Sequence, residues 1–284
     1  MPASPIPHLT PIGPKAAIAL IPSTVDVRLP LADDLADAAL ASERGHPSRV
    51  KVSETFTSVQ GEGKLTGVPS HFIRLSGCNL RCTWCDTPYA SWAPEGAARS
   101  INDLIAESLA SKVTHAVLTG GEPMIFPQLA SLCAGLRSGG LHITIETAGT
   151  VYNAEASAAC DLLSISPKLA NSTPSATDPR DPSGQWHDRH EARRINITVL
   201  QSLLATPADR QLKFVVSEPA DLSEIETLLA NLTGWKPNDI LLMPEGTTTQ
   251  AMSERRWLVD ACIARGWRYC RRLHIDLFGH TRGT

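Results

Sequence analysis

The sequence predicts an α/β protein that folds as a partial, open TIM-like barrel of six βα units. Short apolar runs alternate with amphipathic stretches from Val50 onward at intervals of roughly 25 to 40 residues, as in repeated βα units. The 284 residues suffice for one large domain with a full hydrophobic core. Motifs rich in cysteine and glycine follow directly after predicted strands, which is where α/β folds place functional groups.

Six strands and five helices make up the predicted repeat. The strands are His71–Leu75, Ala116–Leu118, His142–Ile145, Leu162–Ile165, Leu212–Val216 and Ile240–Met243. The helices, which carry apolar residues three or four positions apart, are Ile101–Ser111, Pro127–Leu136, Arg193–Leu204, Leu222–Asn231 and Ser253–Arg265. Strands that alternate with helices pair in parallel, so the functional site is expected at the carboxyl ends of the strands.

Two segments lie outside this repeat. Residues 1–49 are rich in Pro and Ala and contain a short helical candidate at Leu31–Ser42, so they are predicted to be an N-terminal extension that is partly flexible. Residues 50–284 are predicted to form the catalytic domain. Within it, residues 171–191 are rich in Pro, Asp, Ser and His without an apolar period, which predicts a long loop insertion.

The composition excludes several classes of function. Apolar residues make up 42% of the chain, charged residues 19%, and the net charge is -3, so we expect a small-molecule substrate. Direct binding to nucleic acid or to an anionic membrane normally requires clustered Lys and Arg. The apolar run Ala16–Ile21 is too short for a membrane span or a signal-peptide core. Seven cysteines are an odd count for a disulfide framework, so a cytoplasmic location is expected.

Three cysteines are crowded into eight positions after the first predicted strand. Cys78, Cys82 and Cys85 have CxxxCxxC spacing on a compact loop, where three thiolates can come together. Three thiolates leave one iron of a four-iron cluster open to a ligand. The residues alone also allow a zinc site completed by His71 or Asp86, or a chance group of thiols.

The remaining cysteines and histidines show no ligand spacing. Four cysteines lie in apolar surroundings and are expected in the core: Cys133, Cys160, Cys262 and Cys270. His187 and His190 are three positions apart within the predicted insertion. Because that segment is polar and rich in proline, we expect both to be solvated rather than to bind a metal.

The cysteine loop, with the aromatic residue Trp84 before its last cysteine, resembles the cluster loop of the radical S-adenosylmethionine superfamily. Gly120-Gly121-Glu122-Pro123, directly after the second predicted strand, resembles that superfamily's GGEP element. Its glycines allow close approach of backbone to a ligand, and Glu122 offers a carboxylate to an ammonium group. The resemblance implies that Gly121 and Glu122 hold the methionine end of the cofactor. It also implies that a 5'-deoxyadenosyl radical does the chemistry, so no catalytic side chain is assigned.

Short sequence motifs distributed along most of residues 50–284 resemble those of the 7-carboxy-7-deazaguanine synthase family and occur in the same order. They are Thr57-Ser58-Val59-Gln60-Gly61-Glu62-Gly63, Phe72-Ile73-Arg74-Leu75, Cys85-Asp86-Thr87, Glu146-Thr147-Ala148-Gly149, Ser166-Pro167-Lys168, Lys213-Phe214-Val215-Val216, Met243-Pro244-Glu245-Gly246 and Arg272-Leu273-His274. The resemblance implies ring contraction of 6-carboxy-5,6,7,8-tetrahydropterin to 7-carboxy-7-deazaguanine with loss of ammonia. It implies a 4Fe-4S cluster, S-adenosylmethionine and Mg2+ as cofactors, a homodimer, and flavodoxin or a similar protein as reductant.

The same resemblance implies roles for individual residues. Substrate contacts are expected at Val59, Gln60, Gly61, Arg74 and Thr119. Cofactor contacts are expected at Trp84, Gly121, Glu122, Ser166, Pro167 and Lys168. The cluster ligands are Cys78, Cys82 and Cys85, and the magnesium ligand is Thr87. A helix-capping role for Thr87 is the alternative, because Thr often satisfies free amides at helix starts. Glu146, Thr147 and Gly149 are secondary candidates.

Two other functions fit part of the sequence. A glycyl-radical activase would share the cluster and cofactor motifs, but Gln60-Gly61-Glu62-Gly63 and Ser166-Pro167-Lys168 argue against it. A non-catalytic cysteine-rich module that binds zinc or relays electrons would leave Gly120-Gly121-Glu122-Pro123 unexplained. Neither accounts for as much of the chain as the ring-contracting enzyme.

Overall fold

A nine-stranded open sheet forms the centre of the computed structural model, which describes residues 48–284. The strands are β1 Arg49–Val59, β2 Pro69–Leu75, β3 Ala97–Ser100, β4 His115–Gly120, β5 His142–Thr147, β6 Leu162–Ile165, β7 Asp209–Val216, β8 Ile240–Pro244 and β9 Arg268–Tyr269. Their order in the sheet is β3-β1-β2-β4-β5-β6-β7-β8-β9. All six predicted strands are present, as β2 and β4 to β8, and each pairs in parallel with its neighbours in this series. The predicted helix at Leu31–Ser42 lies outside the described residues.

Three strands were not predicted. β1 pairs antiparallel with β2 on one side and with β3 on the other, and the short β9 extends the parallel series from β8. In β1 only Val50 and Val52 are fully buried, while most later positions are half-buried. Because β1 lacks a continuous apolar run, it does not resemble the buried strands of a parallel sheet.

The described part of the chain contains nine α-helices, eight of them between strands and the last after β9. They are α1 Ile101–Ala110, α2 Leu129–Ser138, α3 Ala154–Ala159, α4 Gln185–Arg193, α5 Ile197–Leu204, α6 Asp221–Ala230, α7 Thr249–Glu254, α8 Leu258–Arg265 and α9 Leu273–Phe278. The predicted helix Arg193–Leu204 is therefore wrong at its start. Asn196 begins a new helix there, because its side chain accepts a hydrogen bond from the Val199 amide.

The predicted loop insertion at residues 171–191 is only partly a loop. Its second half forms most of α4, which has a single fully buried residue, His190. A helix that buries one side chain shows no apolar period, so the pattern could not reveal it. The expectation that His190 is solvated is wrong, because its ring has no exposed surface.

Residues 60–64, which we call the crossing segment, extend from the end of β1 across the open side of the sheet. The Leu273 amide donates to the Gly61 carbonyl at 2.8 Å, and the Gly63 amide lies 3.1 Å from the Cys270 sulfur. Lys64 forms ion pairs with Asp209 and with Asp239, at 2.9 and 3.0 Å. These contacts join the β1 side of the sheet to the β7–β9 side, although β3 and β9 do not pair in the described residues.

No helix among residues 48–284 has the length and apolar character needed to cross a membrane. Three of the four cysteines predicted to be structural, Cys133, Cys160 and Cys262, are buried in the main core. Cys270 belongs to a smaller apolar cluster with Val215, and Trp84 packs against it. The predicted core positions of the four cysteines are thus confirmed.

Candidate active site

A cavity of about 410 Å³ opens at the carboxyl ends of the parallel strands. Its wall combines the end of β1, the loop after β2 and the residues that follow β4, β5, β6 and β9. All sequence-predicted site residues lie on this wall except Glu122, Pro167 and the secondary candidate Gly149. Clefts at this edge of α/β sheets are where ligands bind.

The cysteine loop forms one side of the cavity. Cys78 and Cys82 are buried and Cys85 is half-buried, and all three line the cavity. Burial raises the pKa of the Cys78 thiol to about 12 and also raises the pKa of Cys82. Thiols held in such a shielded place become thiolates only when a positive partner such as iron compensates the charge.

These thiols fit a four-iron cluster. The Leu80 amide is 3.4 Å from the Cys78 sulfur, and the Ser91 hydroxyl is 3.1 Å from the Cys85 sulfur, so the loop supplies polar contacts to sulfur. In residues 48–284 no three His, Cys, Asp or Glu side chains form a group that could hold a single metal ion. A cluster needs no such group, because each thiolate binds a different iron.

The two residues considered for completing a zinc site have other partners. His71 lies on β2, 3.0 Å from the Thr57 hydroxyl, and does not line the cavity. Asp86 lines the cavity but forms an ion pair with Arg272. Neither contact supports a zinc site with the three cysteines.

The glycine loop after β4 packs directly against the cysteine loop. A Cβ atom on Gly121 would lie 2.2 Å from the Gly77 carbonyl oxygen and 2.6 Å from the Cys78 Cβ atom, closer than any side chain permits. The Glu122 amide also donates to the Gly77 carbonyl at 2.9 Å. Glycine at position 121 therefore brings the backbone of the glycine loop next to the cysteine loop.

The Glu122 carboxylate lies behind the glycine loop. It has no exposed surface and accepts hydrogen bonds from the amides of Met124 and Ala148, at 3.0 and 2.7 Å, and from the Thr147 hydroxyl at 2.8 Å. Both oxygens are thus engaged inside the protein. The observed contacts hold the loop in place, and direct binding of the cofactor by this side chain stays a prediction.

Ser166 and Lys168 meet on the cavity wall opposite the cysteine loop's aromatic residue. The Lys168 ammonium donates to the Ser166 hydroxyl at 2.9 Å and lies 5.9 Å from the centre of the Trp84 ring. The structure therefore brings together three residues that the sequence predicts for the cofactor. Pro167 shapes this turn but does not line the cavity.

The predicted substrate residues lie on the β1 and β2 side. Gln60 is buried and its amide donates to the Ser70 hydroxyl at 3.0 Å. Arg74 donates through Nε to Glu54 at 2.7 Å, which fixes the guanidinium on the cavity wall. Thr119 donates to Glu146 at 2.9 Å, and Val59 and Gly61 complete this side of the wall.

Thr87 begins a short 3-10 helix, Pro88–Ala90, yet its hydroxyl makes no capping hydrogen bond in the described chain. The hydroxyl lies 3.8 Å from the Cys85 sulfur and faces the same cavity. The capping alternative is thus not supported by the geometry. The hydroxyl remains available as an oxygen ligand.

A buried group of charged side chains also lines the cavity and was not predicted. Glu62 forms ion pairs with Lys213 and with Arg272, the latter at 2.9 Å, and Arg272 also pairs with Asp86. Burial by itself raises the pKa of Glu62, but Lys213 and Arg272 lower it more, so the net pKa lies well below its ordinary value. Lys213 lies in the buried part of β7, between Leu212 and Phe214, and a charged side chain in that place marks a functional candidate.

Comparison with known proteins gives consistent matches. Residues 72–195 match the model of the radical SAM superfamily. The chain is 47% identical to 7-carboxy-7-deazaguanine synthase of Rhodopirellula baltica, over 85% of this chain and 91% of that protein, and 46% identical to that of Halobacterium salinarum, over 84% and 94%. The crystal structure of QueE from Escherichia coli is similar with a TM-score of 0.59 and 29% identity, covering 82% of this chain and 98% of that one.

Proposed function

Because this chain belongs to the 7-carboxy-7-deazaguanine synthase family of the radical SAM superfamily, we propose that it converts 6-carboxy-5,6,7,8-tetrahydropterin to 7-carboxy-7-deazaguanine with loss of ammonia. One observation carries the assignment of the site. The thiols of Cys78, Cys82 and Cys85 share a single cavity with Gln60 and Arg74. A radical formed at the cluster side would therefore be close to a substrate held at the β1 and β2 side.

Cofactor binding is proposed at the glycine loop and at the Ser166–Lys168 turn. When bound, a four-iron cluster and S-adenosylmethionine would supply the 5'-deoxyadenosyl radical. The backbone at Gly121, which is forced next to Cys78, suits the polar end of the methionine moiety. The Ser166 hydroxyl and the Lys168 ammonium offer a donor pair for the remaining polar groups of the cofactor, beside the Trp84 ring.

Substrate orientation is proposed for Arg74 and Gln60. Because Glu54 occupies Nε of Arg74, the guanidinium keeps its terminal nitrogens as a fork for a carboxylate, the group that the pterin carries at C6. The Gln60 amide nitrogen donates to Ser70, so its oxygen is the acceptor for an N–H of the pterin ring. A substrate bound by both side chains presents its C6 region within the cavity.

The enzyme assignment can be tested after anaerobic reconstitution. The protein should bind about four irons per chain and cleave S-adenosylmethionine when reduced. With 6-carboxytetrahydropterin, S-adenosylmethionine, reductant and magnesium, mass spectrometry should detect a deazapurine carboxylate. Cofactor cleavage without any deazapurine would contradict the proposed substrate, and zinc in place of iron would contradict the cluster.

Thr87→Ala is expected to abolish the response of turnover to magnesium. The Thr87 hydroxyl lines the cavity, and Mg2+ prefers oxygen ligands in octahedral geometry. Deazapurine formation should fall about ten-fold in this variant, as is common when a metal's surroundings are disturbed. Thr87→Ser keeps the hydroxyl and serves as the matched control. A Thr87→Ala enzyme that magnesium still stimulates as in the wild type would rule out this role.

Magnesium, the homodimer, the flavodoxin-like reductant and the cytoplasmic location stay predictions. The activase and the non-catalytic module are less well supported, because the curated relatives at 46–47% identity are synthases over most of their length.

A further inference from the structure

Residues 171–194, which we call the cover segment, lie against the cysteine loop. No role for this segment follows from the sequence. It contains the end of a 3-10 turn, Ala170–Ser172, an irregular stretch and helix α4. Its contacts with the cysteine loop concentrate on residues 81–84, which lie on both sides of Cys82.

The cover segment satisfies backbone groups of the cysteine loop. The Thr83 amide donates to the Ser172 carbonyl at 2.8 Å, and Arg180 donates to the Thr83 carbonyl at 3.0 Å. The Arg81 amide donates to Nδ1 of His190 at 3.1 Å. Buried backbone groups are costly when unpaired, so these bonds fix the loop on both sides of Cys82.

His190 has one tautomer that fits its surroundings. Nδ1 faces an amide donor, so it is an acceptor, and Nε2 carries the proton and donates to the Ser172 hydroxyl at 2.8 Å. That hydroxyl in turn donates to the Leu169 carbonyl at 2.6 Å. The neutral ring therefore connects α4, the 3-10 turn and the cysteine loop through a continuous set of hydrogen bonds.

Two stacked pairs of arginine and tryptophan cover the cysteine backbone. The Arg81 guanidinium lies 4.1 Å from the centre of the Trp186 ring and donates to the carbonyls of Cys78 and Leu80, both at 2.8 Å. The Arg81 side chain is only 5% exposed, so its positive charge is held beside the thiols with little water around it.

The second pair is arranged in the same way. The Trp92 ring nitrogen donates to the Cys82 carbonyl at 2.9 Å, and the Arg180 guanidinium of the cover segment lies 4.0 Å from the centre of that ring. Thus the Cys78 carbonyl accepts a hydrogen bond from Arg81 and the Cys82 carbonyl accepts one from Trp92. Each of these two side chains stacks on a residue of the cover segment. Stacking of arginine on tryptophan is favourable, more so for Arg81, which is buried, than for Arg180, whose side chain is 37% exposed.

We propose that the cover segment shields the cluster from solvent and, through Trp186, holds the Arg81 charge where it stabilises the reduced cluster. This inference rests on the proposed function, because it requires a cluster on Cys78, Cys82 and Cys85. Uptake of one electron from a reductant makes the cluster more negative by one charge. A nearby buried cation favours that state, and solvent exposure and outer contacts tune cluster potentials.

The test compares Trp186→Ala with Trp267→Ala after anaerobic reconstitution. Trp267 is a matched control, because it is also half-buried and stacks with an arginine, Arg265 at 5.5 Å, but has no contact with the cysteine loop. Both variants should bind iron as the wild type does. On exposure to air, the iron–sulfur absorption of Trp186→Ala should decay about ten-fold faster, whereas Trp267→Ala should decay at the wild-type rate. Trp186→Phe, which retains a ring for stacking, should restore most of the protection.

Arg81→Gln provides an independent measurement, because it removes the charge while the cover segment keeps its backbone contacts. Its cluster should be reduced at a more negative potential than that of the wild type in an anaerobic titration followed by electron paramagnetic resonance. If Trp186→Ala does not bind iron, the reduction potential of Arg81→Gln still tests the inference. Equal decay in air for the two tryptophan variants, or an unchanged potential in Arg81→Gln, would overturn the inference. A wild-type chain without iron would instead contradict the proposed function.

Discussion

Cys82→Ala should abolish both iron binding and reductive cleavage of S-adenosylmethionine. In the proposed cluster each of three thiolates would hold one iron, so the loss of one would leave two irons without protein ligands and the cluster unstable. Of the three cysteines, Cys82 has the most extensive hydrogen bonding around it. Its carbonyl accepts from the Trp92 ring nitrogen, and the backbones of its neighbours Arg81 and Thr83 are hydrogen-bonded to the cover segment.

Iron content after reconstitution and 5'-deoxyadenosine release measure this loss. Cys133→Ala is the control, because Cys133 is fully buried in the main core and does not line the cavity. The control should lose about 1 kcal/mol of unfolding free energy and keep its iron. Four irons in Cys82→Ala, or their loss in Cys133→Ala, would show that the cluster is held elsewhere.

Glu62→Gln should destabilise the fold by about 3–5 kcal/mol at neutral pH, as expected when one partner of a buried ion pair is removed. The change leaves Lys213 with the more distant Glu146, 3.8 Å away, and leaves Arg272 with Asp86. Glu226→Gln is the matched control. Glu226 pairs with Arg265 at the surface, where its side chain is 52% exposed, and such pairs contribute less than about 1 kcal/mol.

The effect of Glu62→Gln should depend on pH in a defined direction. The pKa of Glu62 is lower in the folded chain than its ordinary value of 4.5, so the folded state favours the charged form. The stabilisation is complete above that ordinary value and declines as the pH falls below it toward the lowered pKa. Urea unfolding of wild type and variant should therefore give a large difference at pH 7 and a smaller one near pH 3. A constant difference across this range would contradict the ion-pair explanation.

The sequence allowed the parallel part of the sheet to be predicted because most of its strands contain short apolar runs that lie between polar residues. β7 and β8, for example, are almost entirely buried and bounded by polar residues. β1 was missed because only one end of it is deeply buried. Helix α4 was missed because polar contacts and stacking of Trp186 hold it, and such contacts leave no period in the sequence.

Site residues that belong to local motifs were predictable from the sequence. A group formed by residues far apart along the chain was harder to predict. Cys78 and Gly121 follow the neighbouring strands β2 and β4, so both were expected at the carboxyl ends of the sheet, and the structure shows them in contact there. The group formed by Glu62, Lys213 and Arg272 joins Glu62 to two residues that lie 151 and 210 positions further along the chain. No local pattern specifies such a partnership, although a lysine inside a buried strand indicates that one exists.

The crossing segment also has a kinetic consequence. The contact of Glu62 with Arg272 closes a loop of 210 residues, and that of Gly63 with Cys270 spans 207. Contacts so far apart along the chain form late in folding, because the entropy of closing the loop must be overcome first. The cysteine loop and the glycine loop are built from neighbouring βα units and can be in place earlier. We therefore expect the crossing segment to close its side of the cavity late, after the hairpin of β1 and β2 and the pairing of neighbouring strands have formed.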